Sequence, residues 1–189
     1  VGGQKRGFDR RHLLIVGGSL GAHALNKFMV EMLPVLKKAG VSIRHQTGVR
    51  DEPVVKEAYA RAGYDPSCVT AFINDMPGAY SWADLVLCRA GASTVAELCG
   101  AGVPSILVPY PYAAGDHQTG NARALEQAGA AVLFQEKSLS ASFLGGTITG
   151  LFGEPDRLAM MSRAALGLAR CDAASRVADQ IEAVAVKRQ

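Results

Sequence analysis

With 189 residues, 49% of them hydrophobic and 20% charged, the chain fits one domain with a substantial buried core, and its 21 glycines suit a soluble α/β enzyme domain. Disordered and fibrous classes are excluded. The net charge of +3 is small and basic residues are interleaved with acidic ones, which excludes a nucleic-acid-binding face but suits an anionic ligand or an anionic membrane surface.

Residues 1–11 open with Val1-Gly2-Gly3-Gln4-Lys5-Arg6-Gly7, a polar, glycine-rich stretch that reads as the remnant of a linker, an expression remnant being the alternative. His12–Val16 is a β-branched run ending in glycines, and Leu20–Lys38 then carries apolar residues at helical spacing. Val41–Gln46 is the second strand, followed by a helix opening near Asp51-Glu52-Pro53, with proline at a tolerated first-turn position. Val69–Ile73 is predicted as strand three, Met76–Ala83 as a short helix, Leu85–Cys88 as strand four and Thr94–Ala101 as a helix. Ser105–Pro109, a helix His117–Ala128 and a strand Ala131–Phe134 follow, and the remainder from Ser138 reads as two or three helices.

Six short apolar strands alternating with helices predict a doubly wound, mostly parallel sheet covered on both faces. Ligands of such sheets bind at the carboxyl ends of the strands, near the switch in strand order. Cys68, Cys88, Cys99 and Cys171 show no metal-ligand spacing; Cys88 and Cys99 read as small core residues, and free thiols suggest the cytoplasm. No apolar run approaches the ~20 residues of a membrane-spanning helix, and no secretory signal opens the sequence. His12, His23 and His45 read as isolated, structural or solvated residues.

Four loops are placed to carry chemistry. Gly17-Gly18-Ser19-Leu20-Gly21-Ala22 joins a strand to a helix, bringing backbone N–H groups and a positive helix end together as a phosphate cradle. Ser19 either adds a hydroxyl donor or only caps the helix. The spacing is not that of a dinucleotide fingerprint, and the second strand ends Arg44-His45-Gln46 without a carboxylate for a ribose. Arg44 keeps an NADP enzyme open as an alternative; a P-loop is excluded.

Cys88 to Glu97 repeats the pattern of strand, glycine turn with hydroxyls, and helix, and is suited to clamp a diphosphate from the other side. Glu97 either accepts hydrogen bonds from ribose hydroxyls or merely complements the helix end. In the loop from Pro109 to Ala122, Asp116, His117, Gln118 and Asn121 offer donors and acceptors for sugar hydroxyls, Asp116 reading otherwise as an N-cap. Phe72-Ile73-Asn74-Asp75-Met76-Pro77 offers a backbone edge and apolar walls to a base, ordinary strand-end packing being the alternative.

Together, Gly17 to Ala22, Phe72 to Met76, Arg89 to Glu97, and Asp116-His117-Gln118 with Asn121-Ala122 resemble, in order and spacing, the carboxyl-terminal domain of the MurG family of glycosyltransferases. The resemblance spans nearly the whole chain. It implies the glycosyltransferase-B architecture of two Rossmann-like domains, with residues 12–189 forming the UDP-sugar domain and the amino-terminal acceptor domain missing. It further implies that Gly18, Ser19 and Leu20 hold the donor diphosphate and that the Ile73 backbone reads uracil, with Phe72 and Met76 nearby. Arg89, Gly91, Ala92, Ser93, Thr94 and Val95 would line the phosphates and ribose, Glu97 would take the ribose hydroxyls, and Gln118, with His117, Asp116 and Asn121, the N-acetylglucosamine. The implied reaction is inverting transfer from UDP-N-acetylglucosamine to lipid I, giving lipid II for peptidoglycan, by an enzyme peripheral on the inner face of the bacterial cell membrane. No cofactor or metal is implied, in keeping with the lack of an Asp-x-Asp motif.

No catalytic base is assigned among these residues, so this chain alone is expected to bind donor without turnover. Two other readings stay open. One is a catalytic subunit that recruits a membrane partner carrying the missing half; the other is an NADP-dependent oxidoreductase or a non-catalytic nucleotide-binding module.

Overall fold

The computed structural model describes residues 7–18, 21–170 and 172–186. Six parallel strands lie in the order β3-β2-β1-β4-β5-β6, with β1 at His12–Val16, β2 at Ser42–Gln46, β3 at Val69–Thr70, β4 at Leu85–Cys88, β5 at Ser105–Leu107 and β6 at Ala131–Leu133. Strand order reverses between β1 and β4, whose residues Leu13 to Val16 pair with Leu85 to Cys88. This places the crevice of a doubly wound sheet at the carboxyl ends of those two strands.

The near-continuous apolar sequence of β1 follows from burial on both faces. Leu13 and Ile15 join one core cluster with α1 (His23–Lys38), α2 (Glu52–Arg61) and α6 (Ala141–Phe152). Leu14 and Val16 point the other way, into a cluster with α3 (Met76–Trp82), α4 (Ala92–Ala101) and α5 (His117–Gln127). Cys88 and Cys99 are buried, as their apolar surroundings in sequence predict. The tail adds α7 (Pro155–Gly167), which buries Leu158, Met161 and Ala165, and α8 (Ala173–Val186).

Several boundaries differ from the sequence reading for local reasons. α1 begins at His23 and not at Leu20, because Gly21 has φ +77° and Ala22 is still non-helical. β3 stops at Thr70, short of Ile73: its neighbour turns away at Gly48, and the Thr47 and Gly48 amides take the Thr70 and Ala71 carbonyls as the last rungs. β5 ends before Pro109, which has no N–H for a ladder, while β6 ends one residue before Phe134 and α4 starts two residues ahead of Thr94.

One expectation is corrected at the amino-terminal end. Within the stretch read as a linker, Phe8 is buried, Arg10 pairs with the buried Asp84 carboxylate at 3.0 Å, and the Arg11 carbonyl accepts from the Ser42 amide. That part therefore packs on the domain; residues 1–6 lie outside the described residues. At the other end α7 packs on the core, but the described side chains of α8 are all exposed, with Val177, Ile181 and Val184 forming an apolar stripe.

Candidate functional site

The glycine turn after β1 owes its shape to two contacts. A Cβ on Gly17 would stand 2.6 Å from the Ala22 amide nitrogen, and one on Gly21 would collide with the Thr47 carbonyl. Glycine at these positions lets the turn close against both the start of α1 and the end of β2, where Gln46 Nε2 donates to the Gly18 carbonyl at 3.2 Å. Ser19 and Leu20, expected to hold a diphosphate, lie outside the described residues. Among the described residues α1 and α4 both begin without a side-chain cap or an acidic first-turn residue, and both starts line the same crevice.

Between the two turns opens a cavity of about 650 Å³, lined among others by Gly18, His23, Arg89, Gly91, Thr94 and Gln118. The structure thus brings together residues 18, 89, 91, 94 and 118 of the expected site. Ala92 and Ser93 lie exposed on the first turn of α4, and Val95 packs against the core cluster.

Arg89 is already committed. Its guanidinium pairs with Glu136 at 2.5 Å and donates to the Val108 and Pro109 carbonyls, both at 3.1 Å. Gln118 Oε1 accepts from the Ala90 and Tyr110 amides at 3.2 and 3.0 Å, while Asn121 Nδ2 donates to the Ala90 carbonyl at 3.0 Å. α5 therefore grips the turn after β4 through both backbone groups of Ala90. The Gln118 amide nitrogen has no hydrogen-bond partner among the described residues and remains available to a ligand.

His117 is exposed and donates from Nδ1 to the Ala114 carbonyl (2.7 Å), which leaves Nε2 outward. Asp116 stands at the N-cap of α5, as its plain reading had it, but at φ +51° its carboxylate takes the Thr119 hydroxyl (2.6 Å) and no helix amide.

Glu97 does not sit in a capping box. Its carboxylate accepts from the Tyr80 hydroxyl of α3 at 2.8 Å. Burial, and then that bond, push the Tyr80 phenol well above its ordinary range, so Tyr80 is the donor at any physiological pH. Phe72 and Ile73 line a separate cavity of about 500 Å³ with Arg44, Thr70 and Trp82, and Met76 is half-buried against the core. Asp75 caps α3 by accepting from the Gly78 amide at 2.9 Å. The Arg44 guanidinium lies 4.4 Å from the Trp82 ring centre, which itself stacks on His12 at 4.3 Å, and is not turned to the glycine crevice where a 2′-phosphate would need it.

None of the three histidines read as isolated is so: His12 Nδ1 donates to the Trp82 carbonyl at 3.0 Å beside the ring stack. His45 is fully buried, with Nδ1 2.9 Å from the Tyr59 hydroxyl and Nε2 3.0 Å from Asn26 Oδ1. Asn26 Nδ2 donates to the Thr47 carbonyl and to Asp51 Oδ2, and Asp51 Oδ2 also lies 2.8 Å from His23 Nδ1. Burial drives the His45 pKa down to about 3 against the weaker upward pull of Asp51. At Asp51, burial pulls up but is outweighed by the hydrogen bonds from Asn26 and His23 and by the charges of His23 and Arg50, leaving the carboxyl below its usual range. The one sequence cue was position: His23 follows the glycine turn by a single residue beyond Ala22. Among the described residues, no group of three or more His, Cys, Asp or Glu side chains is disposed to hold a metal ion.

Residues 12–182 match the glycosyltransferase family 28 C-terminal domain. The chain belongs to that family. It is 50% identical over 169 residues to the UDP-N-acetylglucosamine–N-acetylmuramyl-(pentapeptide) pyrophosphoryl-undecaprenol N-acetylglucosamine transferase of Nitratidesulfovibrio vulgaris (strain DP4), covering 89% of this chain and 46% of that protein. The enzyme of the same name from Lawsonia intracellularis is 52% identical over 171 residues, covering 90% of this chain and 47% of the relative. The crystal structure of Acinetobacter baumannii MurG superposes with a TM-score of 0.79 at 40% identity, over 91% of this chain and 49% of that one. The family 28 chain described here thus spans about half the length of the relatives it matches, and its sheet is the Rossmann-like half of a glycosyltransferase-B fold.

Proposed function

We propose that this chain is the donor-binding half of a hexosyltransferase that moves N-acetylglucosamine from UDP-N-acetylglucosamine to the muramoyl hydroxyl of lipid I, forming lipid II for peptidoglycan. One observation carries the reading: two uncapped helix starts, each preceded by a glycine turn, face one cavity at the switch point of the sheet. A diphosphate seated there meets backbone N–H groups from both sides. Negative charge develops on the departing UDP as the acceptor hydroxyl attacks the anomeric carbon from the opposite face with inversion. Helix ends already aimed at that charge lower its energy without reorganising.

In this assignment Gly18 and Ser19 with Leu20 hold one phosphate, and Thr94 with Gly91, Ala92 and Ser93 the other. Arg89 keeps the second turn in place. Glu97 accepts from ribose hydroxyls while Tyr80 holds its other lone pairs, and the Ile73 backbone reads uracil beside Phe72 and Met76. The Gln118 amide, His117 and Asn121 address the sugar, with Asp116 ordering their loop. The acceptor and the base that deprotonates it belong to the amino-terminal half that the relatives' length implies. Peripheral attachment to the cytoplasmic face of the membrane belongs to that whole enzyme; among the residues described here no helix is long and apolar enough to cross a membrane. No separate observation favours an oxidoreductase.

Calorimetric titration tests the reading. UDP binds this chain in preference to ADP and GDP, and Glu97→Ala weakens UDP by about tenfold, the loss of one charge-assisted hydrogen bond. Equal affinity for the three diphosphates would sink the proposal.

A further inference from the structure

A nucleoside diphosphate is a polyanion, and three described side chains lining the glycine-turn cavity are able to carry charge: His23, Arg89 and Glu136. Arg89 and Glu136 cancel one another, Nη2 pairing with the carboxylate while Nη1 donates to the Val108 and Pro109 carbonyls. His23 is different. Its side chain is 67% exposed, and Nε2 has no partner among the described residues.

The hydrogen-bond chain behind His23 fixes its orientation. Asn26 must present Oδ1 to His45, because Nδ2 serves Thr47 and Asp51; His45 Nε2 is then the donor and its Nδ1 accepts the Tyr59 hydroxyl proton. Every donor in the chain points towards Asp51. The Asp51 carboxylate can only accept, so His23 bonds to it through Nδ1–H and turns Nε2 away. Burial keeps His45 uncharged, so the chain supplies orientation and no competing cation.

We propose that His23 is the proton-carrying contact to the donor diphosphate: Asp51 holds the imidazole through Nδ1, and Nε2 takes up a proton from solvent on nucleotide binding and donates it in a hydrogen bond to a phosphate oxygen. The proposal rests on the donor reading and adds to it a residue and a proton. The charged groups facing His23 are Asp51 and Arg50 from the start of α2, Lys27 and Glu31 from α1, and Arg89 with Glu136 across the cavity. Asp51 and the incoming anion favour the imidazolium, Lys27 and Arg50 oppose it, and the anion tips the balance.

The test is calorimetry of this chain with UDP and with uridine, in buffers of different ionisation enthalpy, across about pH 5 to 8 where histidine changes charge. UDP is expected to bind with proton uptake and uridine without it. His23→Gln should weaken UDP about tenfold, abolish the uptake and leave uridine affinity unchanged, which also reports an intact fold. His23→Arg should restore UDP affinity without restoring uptake, a result that a merely structural role would not give. Asp51→Asn should lower both affinity and uptake. UDP binding to the unaltered chain without proton uptake would overturn the role of His23 and leave the donor reading standing, as would undiminished UDP affinity in His23→Gln. Failure of the unaltered chain to bind either UDP or uridine would overturn the donor reading and this inference with it.

Discussion

Gln118 holds the turn after β4 to the loop after β5 through one oxygen atom, and its amide nitrogen alone is left for a ligand. Gln118→Ala leaves two backbone N–H groups without their acceptor and is expected to cost about 1–3 kcal/mol in urea unfolding. Gln118→Glu keeps the acceptor and discards the donor. Its expected result is near-normal stability and UDP affinity but weakened UDP-N-acetylglucosamine; equal loss for both nucleotides would mean that Gln118 serves only to join the loops. Gly21→Ala forces both a positive φ and a collision with Thr47, and should lose about 1–3 kcal/mol by the same unfolding measurement. Motif residues such as Gly18, Thr94 and Glu97 were legible because strand–glycine–helix patterns are local. Their partners were not: Tyr80 reaches Glu97 from another helix, and Asp51 reaches His23 across the sheet's first crossover. Nothing in the spacing of single histidines announces a shared network.

At the scale of elements, the six strands and their parallel pairing follow from short apolar runs separated by helical periods. What periodicity cannot see is where a neighbour ends. Val69–Ile73 is apolar enough for five strand residues, yet only two pair, because Gly48 takes β2 out of the ladder. The tail shows the same limit. α7 and α8 are both amphipathic, but among the described residues α7 alone packs on the core clusters. A helix of 14 residues with its apolar stripe in water has little tertiary support. Amides of α8 should therefore exchange within seconds to minutes in this chain, far faster than those of α1 or α6. Full protection of α8 would show that a surface here covers Val177 and Ile181.

For the molecule as a whole, the buried chain from Tyr59 to Asp51 couples stability to pH. His45 titrates near 6.5 when unfolded and is held to about 3 when folded, so the native state prefers its neutral form. That preference is complete above the unfolded value and is lost as pH falls from about 6.5 towards about 3, at up to about 1.4 kcal/mol per pH unit. The depressed Asp51 carboxyl acts with the same sign, its contribution being lost on acidification below the ordinary carboxylate range. Urea midpoints measured from neutral to acid pH should fall, and His45→Gln should flatten the upper part of that slope; a midpoint independent of pH would contradict a buried neutral histidine.

In the proposed function the turns after β1 and β4 form one diphosphate seat with a uracil contact at Ile73. Amide hydrogen exchange with and without saturating UDP tests it residue by residue. Slowed exchange is predicted in Gly17–His23, in Gly91–Val95 and at Ile73, with α2 and α7 unchanged. Protection confined to other segments, or none at these three, would show that UDP does not seat between the two turns.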